Sequence, residues 1–300
     1  MSLQDAFIAV VERVRPSVVQ IQTESGLGSG IVFDGRGDIV TNNHVVAGAT
    51  TIEITTAEGK RFSGTLLGSF SAGDLAVVRA SGTDLRPATW ANSGTLKVGA
   101  IVLAVGNPLG LQSSVTDGIV SAVDRTVSEG AGITLPDTIQ TSAAINPGNS
   151  GGALVDLSAQ VVGIPTLAAA DPALGAAAGI GFAIPSNTVT DIASQIIANG
   201  RVVNSHRAYL GVRTSTAVDS ANVPIGVVVT TVAVGGPAAS AGIAVGDLIV
   251  SVAQKQIRTT TDFALALADI MPGGTTSLTV ITPGQGQRTV TAAIAQLPAG

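Results

Sequence analysis

Ala144-Ile145-Asn146-Pro147-Gly148-Asn149-Ser150-Gly151-Gly152-Ala153-Leu154 sets a single hydroxyl in a turn made of glycines and then re-enters an apolar strand. Glycines on both sides let the backbone take dihedrals that a side chain forbids. The amides of Gly148 and Ser150, with Asn149 between them, can then point together at one developing negative charge, which is an oxyanion hole. Taken alone, the same run also reads as an ordinary hairpin turn, because all its polar residues are turn formers.

A serine hydroxyl becomes a nucleophile only when a neighbouring base takes its proton, and an imidazole oriented by a carboxylate is the usual base. The chain has two histidines. His206 lies in the polar stretch Asn204-Ser205-His206-Arg207 and reads as a solvated linker residue. His44 ends the run Ile39-Val40-Thr41-Asn42-Asn43-His44 and reads either as a packed core histidine or as the base. Its place well upstream of a glycine-framed serine favours the base. Between them lie Glu53, Glu58, Asp74, Asp84, Asp117, Asp124, Glu129 and Asp137. Asp74 follows the turn Ser71-Ala72-Gly73 and opens the apolar run Leu75-Ala76-Val77-Val78, so it stands at the mouth of a buried strand, where an acid needs a partner. The other reading is a turn-capping aspartate, and Asp84 in Ser81-Gly82-Thr83-Asp84 fits that description.

The order His44, Asp74, Ser150 is that of the chymotrypsin-like proteases. The blocks GSGIVFDGRGDIVTNNHVV, GDLAVV, AVGNPLGL, VTDGIVSAV, IQTSAAINPGNSGGALV and GIGFAIPSN occur in sequence order and resemble the HtrA (Deg) family of serine proteases. That resemblance implies a serine endopeptidase of protein quality control and the stress response. It would act on unfolded or misfolded proteins outside the cytoplasm, in the periplasm or cell envelope, and carry a PDZ domain after the protease. It also implies His44 as general base, Asp74 as its orienting acid, Ser150 as nucleophile, and an N-terminal segment packing trimers together, with Phe7 a candidate contact. Two departures are Ser142, where the family usually has aspartate, and Ala153, where it usually has proline. Neither is a triad position.

Composition bounds the alternatives. The 300 residues suffice for two or three domains with their own cores. Charged residues are 12% and hydrophobic ones 45%, with 37 glycines, which fits short strands and tight turns rather than disorder. A net charge of -5 gives no basic footprint for nucleic acid. Without cysteine there is no disulfide or thiolate metal site, and two separated histidines leave little for zinc, so neither metal nor cofactor is expected. Near the N-terminus, Phe7, Val10, Val11 and Val14 mark a helix ended by Pro16. No signal peptide or membrane span is visible, and a leader or anchor is expected to be missing from this sequence.

Runs rich in Val, Ile and Thr at residues 18–21, 30–33, 38–41, 51–55, 62–67 and 75–78 read as short strands. A second series follows at 101–105, 113–123, 139–141, 153–155, 160–164 and 180–184. The fold class expected is mainly β: two six-stranded barrels, with His44 and Asp74 from the first and Ser150 from the second meeting in the cleft between them. The pocket for the side chain before the scissile bond is placed at Ala143, Ala144 and Ile145. It holds no acid, which predicts cleavage after valine, alanine or threonine. Residues 166–179 read as a loop forming another wall, and Ser186 as the cap of a helix carrying Val189, Ile192, Ala193, Ile196 and Ile197, stopped by Gly200.

This divides the chain into a protease domain at 1–200, a linker at 201–207 and a PDZ domain at 208–300. Tyr209-Leu210-Gly211-Val212 resembles the carboxylate-binding loop of PDZ domains, and residues 236–249 resemble their core signature. Peptide C-termini are the implied partners, added as a strand beside a helix at about residues 262–270. The competing functional reading is a resting or inactive protease that works mainly as a peptide-binding or chaperone module.

Overall fold

The β-rich runs close into barrels in the computed structural model, which describes residues 2–82, 84–107, 114–129, 133–146, 148–171 and 175–298. Two compact units divide the chain, residues 2–125 with 137–203 and residues 126–136 with 204–298, so the chain passes between them at 125/126, 136/137 and 203/204.

The first unit opens with α1 (Leu3–Val14), whose cap Ser2 accepts from the Asp5 amide while the Asp5 carboxylate accepts from the Ser2 amide. Such a reciprocal pair satisfies two of the donors a helix start leaves open. Val10 and Val14 are buried, Phe7 and Val11 half-buried, and Pro16 falls in a tight turn at Arg15–Ser17 that ends the helix. Strands β1 (Val18–Thr23), β2 (Gly26–Val32), β3 (Asp38–Thr41), β4 (Ile52–Thr55), β5 (Arg61–Phe70) and β6 (Leu75–Ala80) form a closed barrel in the order β1-β2-β3-β6-β5-β4. Val19, Ile21, Ile39, Ile54 and Val78 fill its interior. Each such side chain stabilises the barrel by roughly 1.5–3 kcal/mol relative to leaving it exposed.

The second barrel contains β7 (Ile101–Gly106), β8 (Ser114–Glu129), β9 (Ile133–Thr141), β10 (Ala153–Val155), β11 (Val161–Asp171) and β12 (Gly175–Pro185), in the order β10-β11-β12-β9-β8-β7. Its core holds Val102, Val120, Ile139, Leu154 and Val162. Residues 166–171 and 175–179 of the expected loop are instead the far part of the β11–β12 hairpin, with pairing that reaches Asp171 opposite Gly175, while residues 172–174 lie outside the described residues. Alanine-rich composition reads as a connector, but the two strands of the hairpin pair with each other, and those hydrogen bonds hold them extended. The side chains of 167–178 lie outside the described residues.

A one-turn helix, α2 (Asn43–Val46), follows β3, and α3 (Ser186–Asn199) packs on strands of both barrels. Gly200 ends α3 in the left-handed conformation at φ 71°, as expected. Ser186 does not cap it. The helix starts directly off β12 with Pro185 in the cap position and no side-chain cap bond, while the fully buried Ser186 hydroxyl donates to the Ala91 carbonyl at 2.8 Å. A buried hydroxyl takes the partner that burial provides.

In the second unit, β13 (Ala208–Tyr209) pairs with the C-terminal β20 (Ala295–Gln296). A sheet is built of β14 (Val212–Val218), β15 (Pro224–Val232), β16 (Leu248–Val252), β18 (Thr275–Thr282) and β19 (Gly286–Ala293) in that order, with β17 (Lys255–Gln256) paired to β16. Two helices, α4 (Pro237–Ser240) and α5 (Thr260–Ala268), complete it around a core of Leu210, Val227, Ile249, Leu278 and Val280. Thr259 and Asp262 cap α5 reciprocally.

Among the described residues no helix is long and apolar enough to cross a membrane.

Candidate active site

Asp74 emerges from the tight turn Ser71–Gly73 in a left-handed conformation, φ 49° and ψ 43°. That region costs a side-chain-bearing residue strain of order 1–3 kcal/mol, which aspartate tolerates better than most. The turn is held by the Asn42 side chain, whose Nδ2 donates to the Asp74 carbonyl at 3.0 Å. The carboxylate is buried, and every donor around it is identifiable. His44 Nδ1 lies 2.8 Å from Oδ2 and 3.0 Å from Oδ1, the His44 amide donates to Oδ1 at 3.0 Å, and Thr166 Oγ1 donates to Oδ2 at 2.5 Å.

A carboxylate can only accept, so the proton of the neutral imidazole sits on Nδ1 and the lone pair on Nε2. The pair has a dry end and a wet end, with the Asp74 side chain 1% exposed and that of His44 48% exposed. The imidazole thus meets an open surface while the carboxylate is sealed.

That surface is a cleft of about 460 Å³, lined on one side by Ser25, Gly26, Leu27, His44 and Val45 and on the other by Ile145, Asn146, Gly148, Ser150 and Thr166. The structure therefore brings His44 and Ser150, 106 positions apart in the chain, to one cleft. Asp84 is elsewhere, paired with Lys60 on the exposed surface. His206, in the other unit, is exposed.

The loop bearing Ser150 is tied at almost every peptide. Asn149 is buried. Its amide donates to the Asn146 carbonyl at 3.1 Å, its Oδ1 accepts from the Asn146 amide at 3.0 Å, and its Nδ2 donates to the Ala144 carbonyl at 3.0 Å. Gly148 lies at φ 117° and Gly151 at φ 78°, backbone that L side chains rarely adopt. At Gly151 space is lacking as well, since a Cβ would lie 2.2 Å from the Ser29 carbonyl oxygen. Pro147 lies outside the described residues.

Of the three residues assigned to the specificity pocket, only Ile145 lines the cleft. Ala143 belongs with Ile145 to the apolar core of the second barrel, and the Ala144 carbonyl is occupied by Thr116 Oγ1 at 2.8 Å as well as by Asn149. Alternation turns Ala143 and Ile145 to the buried side and leaves Ala144 exposed between them. Ser142, one of the two departures, receives the Ile119 amide on its hydroxyl at 3.0 Å. Ala153, the other, starts β10 fully buried.

In the second unit Leu210 is buried in the core, Gly211 takes φ 79°, and Tyr209 and Val212 are half-buried. The Leu210 and Gly211 carbonyls accept from the amides of Ala238 and Ala233 at 2.9 and 2.8 Å. Val212 then begins β14, which stands at the edge of its sheet with α5 packed beside it.

Thr166, Asn42 and Ser29 escaped the sequence reading. The available signal was a small hydroxyl inside an apolar run, Gly28-Ser29-Gly30-Ile31-Val32, since a buried polar group must find a partner. Which partner it finds is not written in the run.

Comparison with known proteins gives a trypsin-like peptidase domain at residues 28–164 and a PDZ domain at residues 228–282. The serine protease PepD of Mycobacterium tuberculosis is 40% identical over 94% of this chain, and the Do-like HtrA protease of Bacillus subtilis 38% identical over 88%. The chain spans 64% and 62% of the length of these two relatives. The serine endoprotease DegS of Haemophilus influenzae is 35% identical over 89% of this chain and 76% of its own. Among solved structures, an HtrA-type protease AlgW variant with a decapeptide matches with TM-score 0.69 and 31% identity, covering 98% of both chains. A serine endoprotease from Yersinia pestis matches with TM-score 0.66 and 35% identity, covering 97% of this chain and 98% of its own.

Proposed function

Because the chain belongs to the HtrA family of serine proteases, we propose that it is a serine endopeptidase that cleaves unfolded or misfolded proteins through an acyl-enzyme on Ser150. One observation carries the reading: an imidazole held by a buried carboxylate shares a cleft with a hydroxyl on a glycine-framed loop.

The chemistry follows from that arrangement. The Ser150 hydroxyl adds to the scissile carbonyl while Nε2 of His44 takes its proton, and Asp74 stabilises the imidazolium that forms. The carbonyl oxygen becomes an oxyanion received by the amides of Gly148 and Ser150, with Asn149 bracing the turn between them. Collapse expels the amine, which takes the proton from His44 and leaves the acyl group on Ser150. A water deprotonated by His44 then releases the acid and restores the hydroxyl.

The cleft lining contains no carboxylate among the described residues, and Ile145 is its apolar member on the nucleophile side. A lysine or arginine would enter without a counter-charge, so small or medium aliphatic residues are preferred before the scissile bond. The edge strand β14 beside α5 suits a peptide C-terminus added as a further strand, with the turn at Tyr209, Leu210, Gly211 and Val212 receiving its carboxylate and the bound peptide regulating proteolysis. Extracytoplasmic work in quality control follows the relatives named periplasmic endoproteases, and homotrimers through α1 would cover its exposed Leu3 and Ile8.

The test is casein digestion by the wild type and Ser150→Ala, with fluorophosphonate labelling of both, in the presence and absence of a C-terminal peptide. Members of a triad act as a unit, so the substitution is expected to lower turnover by about a millionfold and abolish labelling. Equal proteolysis by the two proteins would remove Ser150 as the nucleophile. An unlabelled, inactive wild type that still binds the peptide would favour the peptide-binding reading.

A further inference from the structure

Ser29 is fully buried in β2, and its hydroxyl and amide both meet the loop that bears Ser150. Its hydroxyl lies 2.5 Å from the Gly148 carbonyl, its amide donates to the Ser150 carbonyl at 3.0 Å, and its own carbonyl accepts from Thr41 Oγ1 at 2.7 Å. The Asn107 amide donates to the hydroxyl at 2.8 Å. A carbonyl can only accept, so the hydroxyl proton must point at Gly148, and the Asn107 amide takes up a lone pair on the other side.

We propose that Ser29 is a positioning residue that sets the oxyanion loop, gripping the turn at both ends through Gly148 and Ser150. The proposal rests on the reading of Ser150 as nucleophile. The Gly148–Asn149 peptide is fixed at its oxygen by Ser29 and at its nitrogen by the Asn146 carbonyl, while Ser150 is fixed at its carbonyl by the Ser29 amide. With glycine at φ 117°, no side chain restricts the rotation of that turn, so hydrogen bonds must. Thr41, on the other side of Ser29, immediately precedes Asn42, which holds the Asp74 turn. One residue of the first barrel thus ties the loop of the nucleophile to the segment that leads to the base and holds the turn of the acid.

The distinguishing measurement compares wild type, Ser29→Ala and Ser29→Gly as full chains for kcat and KM on a peptide with an aliphatic residue before the scissile bond. It adds the inhibition constant of the matching peptide boronate, whose tetrahedral adduct places an oxygen in the oxyanion hole, and the thermal midpoint. Removing one oxyanion donor costs about a hundred- to a thousandfold. Ser29→Ala displaces the donors without deleting them, so kcat is expected to fall roughly ten- to hundredfold with KM within about threefold, and boronate affinity to fall by the same factor. Ser29→Gly leaves room for a bridging water between Asn107 and Gly148 and is expected to fall between alanine and wild type, although glycine within a strand is the less stable choice.

A folded Ser29→Ala with kcat and boronate affinity within about threefold of wild type would overturn the proposal, as would a fall in kcat that boronate affinity does not follow. Should the alanine variant not fold, Ser29→Gly decides by the same two criteria. Failure of the underlying reading shows separately, as a wild type that binds no boronate or a Ser150→Ala that retains activity.

Discussion

His44 and Asp74 are joined twice, by the imidazole Nδ1 at 2.8 Å from Oδ2 and by the His44 amide donating to Oδ1 at 3.0 Å. One carboxylate therefore fixes both the tautomer of the ring and the backbone that carries it.

Asp74→Asn separates these roles. The asparagine oxygen can still receive the His44 amide, so the fold is expected to persist, but its NH₂ faces Nδ1 and drives the ring proton to Nε2. A rate loss of roughly ten-thousandfold is expected from the wrong tautomer, read by kcat on a peptide substrate and by the nitrogen shifts of the His44 ring. A loss of less than about tenfold would mean that Asp74 does not orient the base.

Thr166→Val removes the remaining side-chain donor to Asp74 at nearly constant volume. Hydrogen bonds to charged groups contribute about 1.5–3 kcal/mol, so kcat is expected to drop roughly ten- to hundredfold with little change in KM. Unaltered steady-state constants would show that the histidine contacts alone hold the carboxylate.

Gly151→Ala meets both a backbone at φ 78° and a carbonyl 2.2 Å from the new methyl. Strain and overpacking of this kind cost several kcal/mol together, and denaturant unfolding is expected to show a loss of about 2–5 kcal/mol. An unchanged midpoint would contradict the tight approach of Ser29 to this loop.

Glu24 gives a prediction in pH. The Thr50 hydroxyl, then the Thr51 hydroxyl, hold its carboxyl down to about 2, and the Thr51 amide adds to them. A group depressed on folding stabilises the native state above its unfolded pKa, near 4.5, and loses that contribution as pH falls toward 2. The turn after Glu24 supplies Ser25, Gly26 and Leu27 to the cleft, so this clamp is expected to hold through mild acid. A carboxyl titration followed by NMR checks it, and a midpoint near 4.5 would show that the clamp is absent.

Strand positions and the candidate site were legible to different depths. Runs such as Ile39-Val40 and Leu75-Ala76-Val77-Val78 announce buried strands because apolar burial dominates their energetics, and they are found there. Residues 166–171 and 175–179 misled, because alanine and glycine carry little intrinsic strand preference and the pairing across the hairpin decides. Ser186 misled for a related reason, as its hydroxyl found the Ala91 carbonyl, 95 positions away, in place of its own helix.

By itself the sequence determined which chemical groups are available: a serine in a glycine-rich turn, a histidine after an apolar run, an aspartate between a turn and an apolar run, and no thiol. Those facts are local, fixed by residue type and by the dihedrals that glycine permits. Only the tertiary structure decided that Thr166 and the His44 amide share the Asp74 carboxylate, that Ile145 belongs both to the core of the second barrel and to the cleft lining, and that Ser29 spans from Thr41 to Gly148. Hydrogen-bond partners across separate strands depend on how the closed barrels bring distant segments together, and no short stretch of chain contains that information.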